Sequence, residues 1–386
     1  LGRVVYTLIA LWLGHFCVDF MLGIWPIFKT MRHLDLAIAG TIVSAAAFAG
    51  EGMQIVFGGL SDRGYSRALI ASGVLLASAA TFLVAFESYT SMGFLMFLTL
   101  MGSGAFHPAA AGIVGSLTEN RKGLFITIFA SGGSLGLACS QISYLVAYDW
   151  LNGHTAWLSL FPFVLALVIA FVPLSRRQAN KKPLDFKEVF RFFRVPTLRY
   201  LWMAQVCNQA LVWGLIFLLP DVLTARGYDK WIAFGGGHLA LILGGACTLI
   251  VAGHLADCIP PRTVLLSSTL MGALLFYTFL FMPLLSNTFV IILLAGLGAA
   301  ISSFNPVSIA LGNRYVPGKP GLISAFLMGI VWCVAEVLGP CGGGLLTLLF
   351  SEDAAAKSLM VLGVSFLAAL AVLIRLPEET TELVTE

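Results

Sequence analysis

A series of long apolar runs, each near or above the roughly 20 residues a helix needs to cross a bilayer, leaves this chain few ways to fold. They fall at about 4–28, 36–60, 68–86, 91–117, 122–148 and 156–174, then 198–223, 231–256, 263–283, 288–311, 321–349 and 355–376. The runs are continuous and do not alternate in period two, which predicts helices and argues against a barrel. Of 386 residues, 59% are hydrophobic and only 11% are charged. A water-soluble chain of this size could not hide so much apolar surface, so lipid is its solvent. The predicted fold class is an all-α integral membrane protein with twelve transmembrane helices in two pseudo-symmetric six-helix bundles. The first run outlasts a signal-peptide core, which predicts a spanning helix in place of a cleaved leader.

Short charged segments join the runs. Gly58-Gly59-Leu60-Ser61-Asp62-Arg63-Gly64-Tyr65-Ser66-Arg67 follows helix 2, and Gly253-His254-Leu255-Ala256-Asp257-Cys258-Ile259-Pro260-Pro261-Arg262 follows helix 8. In both, Gly precedes Asp by four residues and Arg follows Asp by five. Phe106-His107-Pro108 in helix 4 returns as Phe304-Asn305-Pro306 in helix 10, and Gly123-Leu124 returns as Gly321-Leu322 at that same offset. Landmarks repeated in this way indicate two parallel six-helix repeats. The boundaries are a first bundle over 1–174, a polar linker over 175–197 and a second bundle over 198–386. Within the linker, Leu184 to Phe193 reads as an amphipathic helix with Phe186, Val189, Phe190 and Phe193 on one side. With both termini on one side, Lys29, Arg32, Arg226, Lys230 and Lys357 alone among the 22 Lys and Arg lie opposite. By the positive-inside rule the termini, the linker and both Asp/Arg loops are cytoplasmic.

Twelve helices, a basic central linker, and G-x-x-x-D-R with a trailing Arg after helix 2 resemble the major facilitator superfamily along the whole chain. Within it, His15-Phe16-Cys17-Val18-Asp19, Pro26 and Phe106-His107-Pro108 look most like the fosmidomycin-resistance type of efflux protein. Ala109 stands where that type has an acid, so the substrate is not inherited. The resemblance implies the major facilitator fold, and a gate built from Asp62, Arg63 and Arg67 with its copy, Asp257 and Arg262. A carboxylate there, bonded to a neighbouring helix end and to Arg, locks one helix arrangement and must release it for the other.

Ionisable groups at membrane depth are costly and usually face a cavity. His15 and Asp19 stand one turn apart on helix 1 and can share a proton as a coupled unit. Glu51, on a small and polar face of helix 2, is a further candidate for proton coupling. For the substrate cavity the candidates are His107 and its repeat partner Asn305; Gln205, Asn208, Gln209 and Trp213 on helix 7; and Trp332 and Glu336 on helix 11. Gly132, Gly133 and Gly136 mark helix 5 as a packing seam. His15, Asp19 and His107 also suggest a transition-metal ion, but no Cys or further carboxylate completes a set, and no metal or cofactor is expected. The seven Cys are scattered and read as small apolar fillers. No Lys or Arg lies deep within a helix in this reading, which favours neutral, zwitterionic or cationic solutes and amphipathic drugs over anions.

The expected function is proton-coupled secondary transport across a bacterial inner membrane, by rocking of the two bundles, with export of a drug-like or metabolite solute. Uptake of a zwitterionic or cationic metabolite, or of a metal or its chelate, is the alternative. The expected partners are the solute, protons and the bilayer. No nucleic acid is expected, and the protein is expected to be a monomer. An intramembrane enzyme with His107 or His15 as base would need a nucleophile or metal set in one half only, and the repeat argues against it. There is no P-loop for an ATP-driven pump.

Overall fold

The computed structural model describes residues 2–118, 122–171, 186–283, 285–317 and 320–377. Among them every regular element is helical. The chain forms two compact units, Leu1–Pro183 and Leu184–Glu386.

The first unit contains α1 (Gly2–Leu22, continued by Ile24–Met31), α2 (Leu36–Leu60), α3 (Ser66–Ala77, tightening to a 3-10 turn over Ser78–Ala85), α4 (Tyr89–Val114), α5 (Lys122–Trp150) and α6 (Leu160–Phe171). Among the described residues ten stretches are long and apolar enough to cross a membrane, where twelve are expected. One of the ten, Leu36–Ala85, is two helices read as one. Its junction is a π-type turn over Ser61–Tyr65 in which Gly64 takes φ 101, a left-handed value open to glycine without strain. Hydroxyls of Ser61 and Ser66, 2.8 Å apart, close the turn. The twelfth segment is the shorter apolar helix Thr155–Phe171.

α1 does not end at Pro26. The ring removes the N–H that would bond the Leu22 carbonyl, so the helix breaks at Gly23 and resumes. Lys29 consequently sits inside the helix and is completely buried, with its ammonium 3.0 Å from Thr30 Oγ1. Lys29 lies in the last turn of that continuation, two residues from its end.

Close backbone approach sets the packing of this unit. A Cβ on Gly50 would strike the Leu100 carbonyl, and one on Gly104 would strike the Gly50 carbonyl. These glycines let α2 and α4 touch along their backbones. The α5 seam works in the same way: Gly132 and Gly136 lie against the Trp12 and Phe16 carbonyls of α1.

The second unit contains α7 (Pro196–Ala225), α8 (Gly237–Cys258), α9 (Pro261–Phe281), α10 (Asn287–Ser302 and Phe304–Tyr315), α11 (Leu322–Thr347) and α12 (Ala354–Leu362 and Val364–Leu373). The α2/α4 contact recurs between α8 and α10, where Gly244 meets the Ala295 carbonyl and Gly298 the Leu241 carbonyl. Pro306 leaves the Ser302 carbonyl without its helical donor, and α10 is interrupted at Ser303. The basic segment 175–183 of the expected linker, with Leu184 and the Phe186 side chain, lies outside the described residues. The short helix Phe186–Arg191 gives way to a 3-10 turn at Phe192–Arg194. That change of period buries Phe192 with Val189 and leaves Phe190 exposed, contrary to the expected face. Phe193 packs edge-on against Trp202 and Phe326.

Candidate functional site

The side chains that carry chemistry converge inside the first unit. His15 and Asp19 share one face of α1, and His15 Nε2 lies 3.4 Å from Asp19 Oδ2. The other ring nitrogen, Nδ1, lies 2.8 Å from the Phe129 carbonyl of α5. A carbonyl only accepts, so Nδ1 carries the hydrogen and donates. The Phe129 ring stacks on the imidazole at 4.3 Å and fixes its plane. Gly133, one turn along α5, presses on the pair so closely that a Cβ there would overlap His15 Nε2 and Asp19 Oδ2.

α4 supplies a second imidazole. His107 Nε2 lies 3.2 Å from Asp19 Oδ1. Its Nδ1 is 3.0 Å from the Ser103 carbonyl and 3.1 Å from Ser103 Oγ, so here too Nδ1 carries the hydrogen and donates. Each neutral ring therefore turns a bare Nε2 lone pair toward the same carboxylate. Lone pair against carboxylate is repulsive unless a cation sits between them, whether a proton on a ring, a proton on the carboxyl, or another ion. One ligating atom from each of the three residues lies within 4.8 Å of the other two. The side chains keep 11%, 19% and 19% of their surface for His15, Asp19 and His107, so small ions can reach them.

Glu51 joins from α2. It is only 4% exposed. Ser103 Oγ donates to its Oε1 at 3.3 Å, and Oε2 has no partner among the described residues. The Gly50–Gly104 contact holds these neighbouring residues in register. A polar chain thus crosses three helices, from Glu51 through Ser103 and His107 to Asp19 and His15. The α1 pair was legible in the sequence. The bridging hydroxyl of Ser103, the Phe129 carbonyl and the wall made by Gly133 were not, because each contact joins helices distant in sequence.

The residues predicted for a substrate wall lie in the second unit. Gln205 is fully buried and donates through Nε2 to Asn305 Oδ1 at 2.7 Å. Its Oε1 accepts from Ser308 Oγ at 2.9 Å. The amide is therefore spent in tying α7 to α10. Asn208 donates to the Ile301 carbonyl at 3.1 Å, just before the α10 interruption. Gln209 is buried and Trp213 half-buried on α7. On α11, Glu336 is buried and the half-buried Trp332 has an indole N–H without a partner among the described residues. Pro340 deprives the Glu336 carbonyl of its helical donor, and the helix widens to a π turn over Val337–Cys341.

The two Asp/Arg loops differ. Asp62 is half-buried, while Arg63 and Arg67 point to solvent. In the second copy Asp257 pairs at 3.0 Å with Arg314, from the end of α10. Arg314 also donates to the Ala256 carbonyl at 3.0 Å. Arg262 instead caps α12, donating to the Leu373 and Ile374 carbonyls at 3.2 and 2.7 Å.

Apolar helices long enough to span a bilayer, with a buried ionisable cluster inside the first unit, are features of a multi-pass membrane protein. The Major Facilitator Superfamily pattern matches residues 11–340, and the chain belongs to that superfamily. It is therefore a transporter and not an enzyme. The chain is 26% identical over 327 residues to the gentisate transporter of Corynebacterium glutamicum, covering 76% of this chain and 72% of that protein. It is 22% identical over 351 residues to the fosmidomycin resistance protein of Escherichia coli, covering 86% and 84%. A crystal structure of a bacterial homologue of the human lysosomal transporter Spinster superposes with a TM-score of 0.79 at 16% identity, covering 97% of each chain.

Proposed function

We propose that the protein is a proton-coupled secondary transporter of a bacterial inner membrane, with cytoplasmic termini, working by alternating access. The observation that carries this reading is the meeting of two imidazole Nε2 atoms on one carboxylate. Such a cluster is stable only with a cation in it and can release that cation when the helices shift. His15, Asp19 and His107 form the coupling centre, with Glu51 as the adjoining acid. Asp62, Arg63 and Arg67 serve as gate residues that form and break with the cycle, and in the second unit Asp257 does so through Arg314, with Arg262 holding the end of α12 beside it. Gln209, Trp213, Trp332 and Glu336 contribute to solute recognition, while Gln205, Asn208 and Asn305 hold the shape of that wall. Export of a small metabolite or drug-like solute is the first reading. Its support is the His-x-x-x-Asp and Phe-His-Pro pattern together with the relative named for fosmidomycin resistance.

Carriage of a small organic anion is the second reading. It is favoured by the relative named as a gentisate transporter. Proteoliposomes with an imposed pH gradient test both, with labelled fosmidomycin and gentisate as first probes. Movement of a probe that follows the gradient and collapses with a protonophore supports the proposal. Movement indifferent to the gradient contradicts the coupling.

A further inference from the structure

We infer that the His15–Asp19–His107 centre is also a binding site for a divalent transition-metal ion of the zinc class, which enters in place of the protons and holds the centre closed. The inference rests on the reading of this cluster as a cation-handling site, and it adds a ligand that could occupy and arrest it.

Three features of the geometry point to a metal of this class. The first is the donor set. Two imidazole nitrogens and a carboxylate suit zinc, cobalt and nickel, whereas magnesium and calcium favour oxygen ligands throughout. The second is spacing. Donors bound at about 2.0–2.1 Å in a tetrahedral site stand roughly 3.3 Å apart. The separations here are 3.4 Å for His15 Nε2 to Asp19 Oδ2 and 3.2 Å for His107 Nε2 to Asp19 Oδ1, one to each oxygen of the carboxylate, so an ion between the rings would be held by both oxygens. All three ligating atoms lie within 4.8 Å of one another.

The third feature is the outer layer of contacts, and it is the most telling. A metal-bound imidazole almost always gives its other N–H to a carbonyl or carboxylate, which fixes the tautomer and aims the free nitrogen. Both rings do this. His15 Nδ1 is held by the Phe129 carbonyl at 2.8 Å and His107 Nδ1 by the Ser103 carbonyl at 3.0 Å. Ser103 Oγ, beside the second ring, is in turn bonded to Glu51, whose buried Oε2 has no partner among the described residues. A structural hydrogen bond between helices would need only one of these rings aimed at Asp19. Two, each with its far nitrogen anchored to backbone, make a preorganised pair of ligands.

A metal bridging α1 and α4 through these three side chains fixes the distance between the helices. The ion is accordingly expected to block transport. A rival site exists on the exposed end of α8, where Cys258 Sγ lies 3.6 Å from His254 Nε2. It has two donors, both exposed, and it serves as the control.

The test uses the purified full chain, with cobalt as the optical probe and zinc as the competitor. Four-coordinate cobalt bound by nitrogen and oxygen donors gives visible absorption bands that six-coordinate aqueous cobalt lacks. The wild-type protein should show one saturable cobalt spectrum that zinc abolishes. The same spectrum should persist in a His254→Ala/Cys258→Ala variant. It should be lost in His107→Gln and, independently, in His15→Gln, so misfolding of one variant does not decide the matter. Absence of a saturable spectrum in the wild type overturns the inference, as does a spectrum that survives both His substitutions or disappears only in the α8 variant. The outcomes for the two readings separate. Cobalt binding without gradient-driven transport removes the proton coupling and keeps the metal site, whereas gradient-driven transport without cobalt binding removes only the metal site.

Discussion

Gly133→Ala tests whether the α1/α5 contact is what holds the coupling centre in shape. The added methyl would overlap His15 Nε2 and Asp19 Oδ2, and it can hydrogen-bond neither. One of two things must yield. If the helices move apart, the strain is that of an overpacked core, about 1–3 kcal/mol. If the side chains separate instead, the His15–Asp19 contact is lost, at about 1.5–3 kcal/mol for a hydrogen bond to a charged group. Both routes give a loss of roughly 1–3 kcal/mol, and both distort the centre. Gly52→Ala is the matched control. It lies in α2, and its Cβ would have nothing within 4 Å. There the gain in helix propensity, about 0.5–1 kcal/mol, should leave stability unchanged or slightly raised. Thermal unfolding of both variants in detergent, with gradient-driven transport as the second readout, measures the contrast. Equal melting temperatures, with wild-type transport in Gly133→Ala, would refute the argument that Gly133 is required by contact with the His15–Asp19 pair.

Ser103→Ala should strand Glu51 without its donor, and a double-mutant cycle with Glu51→Gln should show a coupling energy of about 0.5–3 kcal/mol in thermal stability; strict additivity would mean the 3.3 Å contact carries nothing. Asp62→Asn should change the rate of exchange between inward and outward states, followed by a fluorophore pair across the cytoplasmic face, more than it changes solute affinity. A change confined to affinity removes Asp62 from the gate. Arg262→Gln should destabilise the protein by about 1–2 kcal/mol through loss of two charge-assisted bonds to the end of α12. Arg314→Gln should cost less than about 1 kcal/mol, because its pair with Asp257 is a surface one, and a reversed order in thermal unfolding would contradict the assignment of Arg262 as a cap.

The parts legible in the sequence were those that follow from local periodicity and from solvent. Apolar run length marked the helices, and the spacing of His15 and Asp19 placed them on one face. The repeat landmarks pair His107 with Asn305, yet the two do different work. His107 meets Asp19, whereas Asn305 accepts from Gln205. Nothing in the spacing distinguishes these, because the partner comes from another helix in each case. The same limit explains the Asp/Arg loops. Arg262 follows Asp257 at the repeated spacing, but the geometry gives Asp257 to Arg314 and Arg262 to the α12 carbonyls. Lys29 falls just past the first apolar run, which ends near residue 28, whereas the helix continues to Met31 and takes Lys29 into its last turn. A proline removes one donor and bends the helix, and Gly23 absorbs the break so that the helix continues. The α5 glycines were recognised as a seam, but a seam has no address in sequence, so the closeness of Gly133 to the coupling pair emerged only from the packing.

The central claim is that Asp19, gripped by two imidazoles, carries the coupling ion. It is tested most directly by Asp19→Asn in proteoliposomes, comparing transport driven by a pH gradient with solute exchange at equal pH on both sides. The amide keeps the shape but cannot hold the proton between two rings. Gradient-driven transport should be lost while equal-pH exchange continues. Retention of gradient-driven transport in Asp19→Asn would contradict the account.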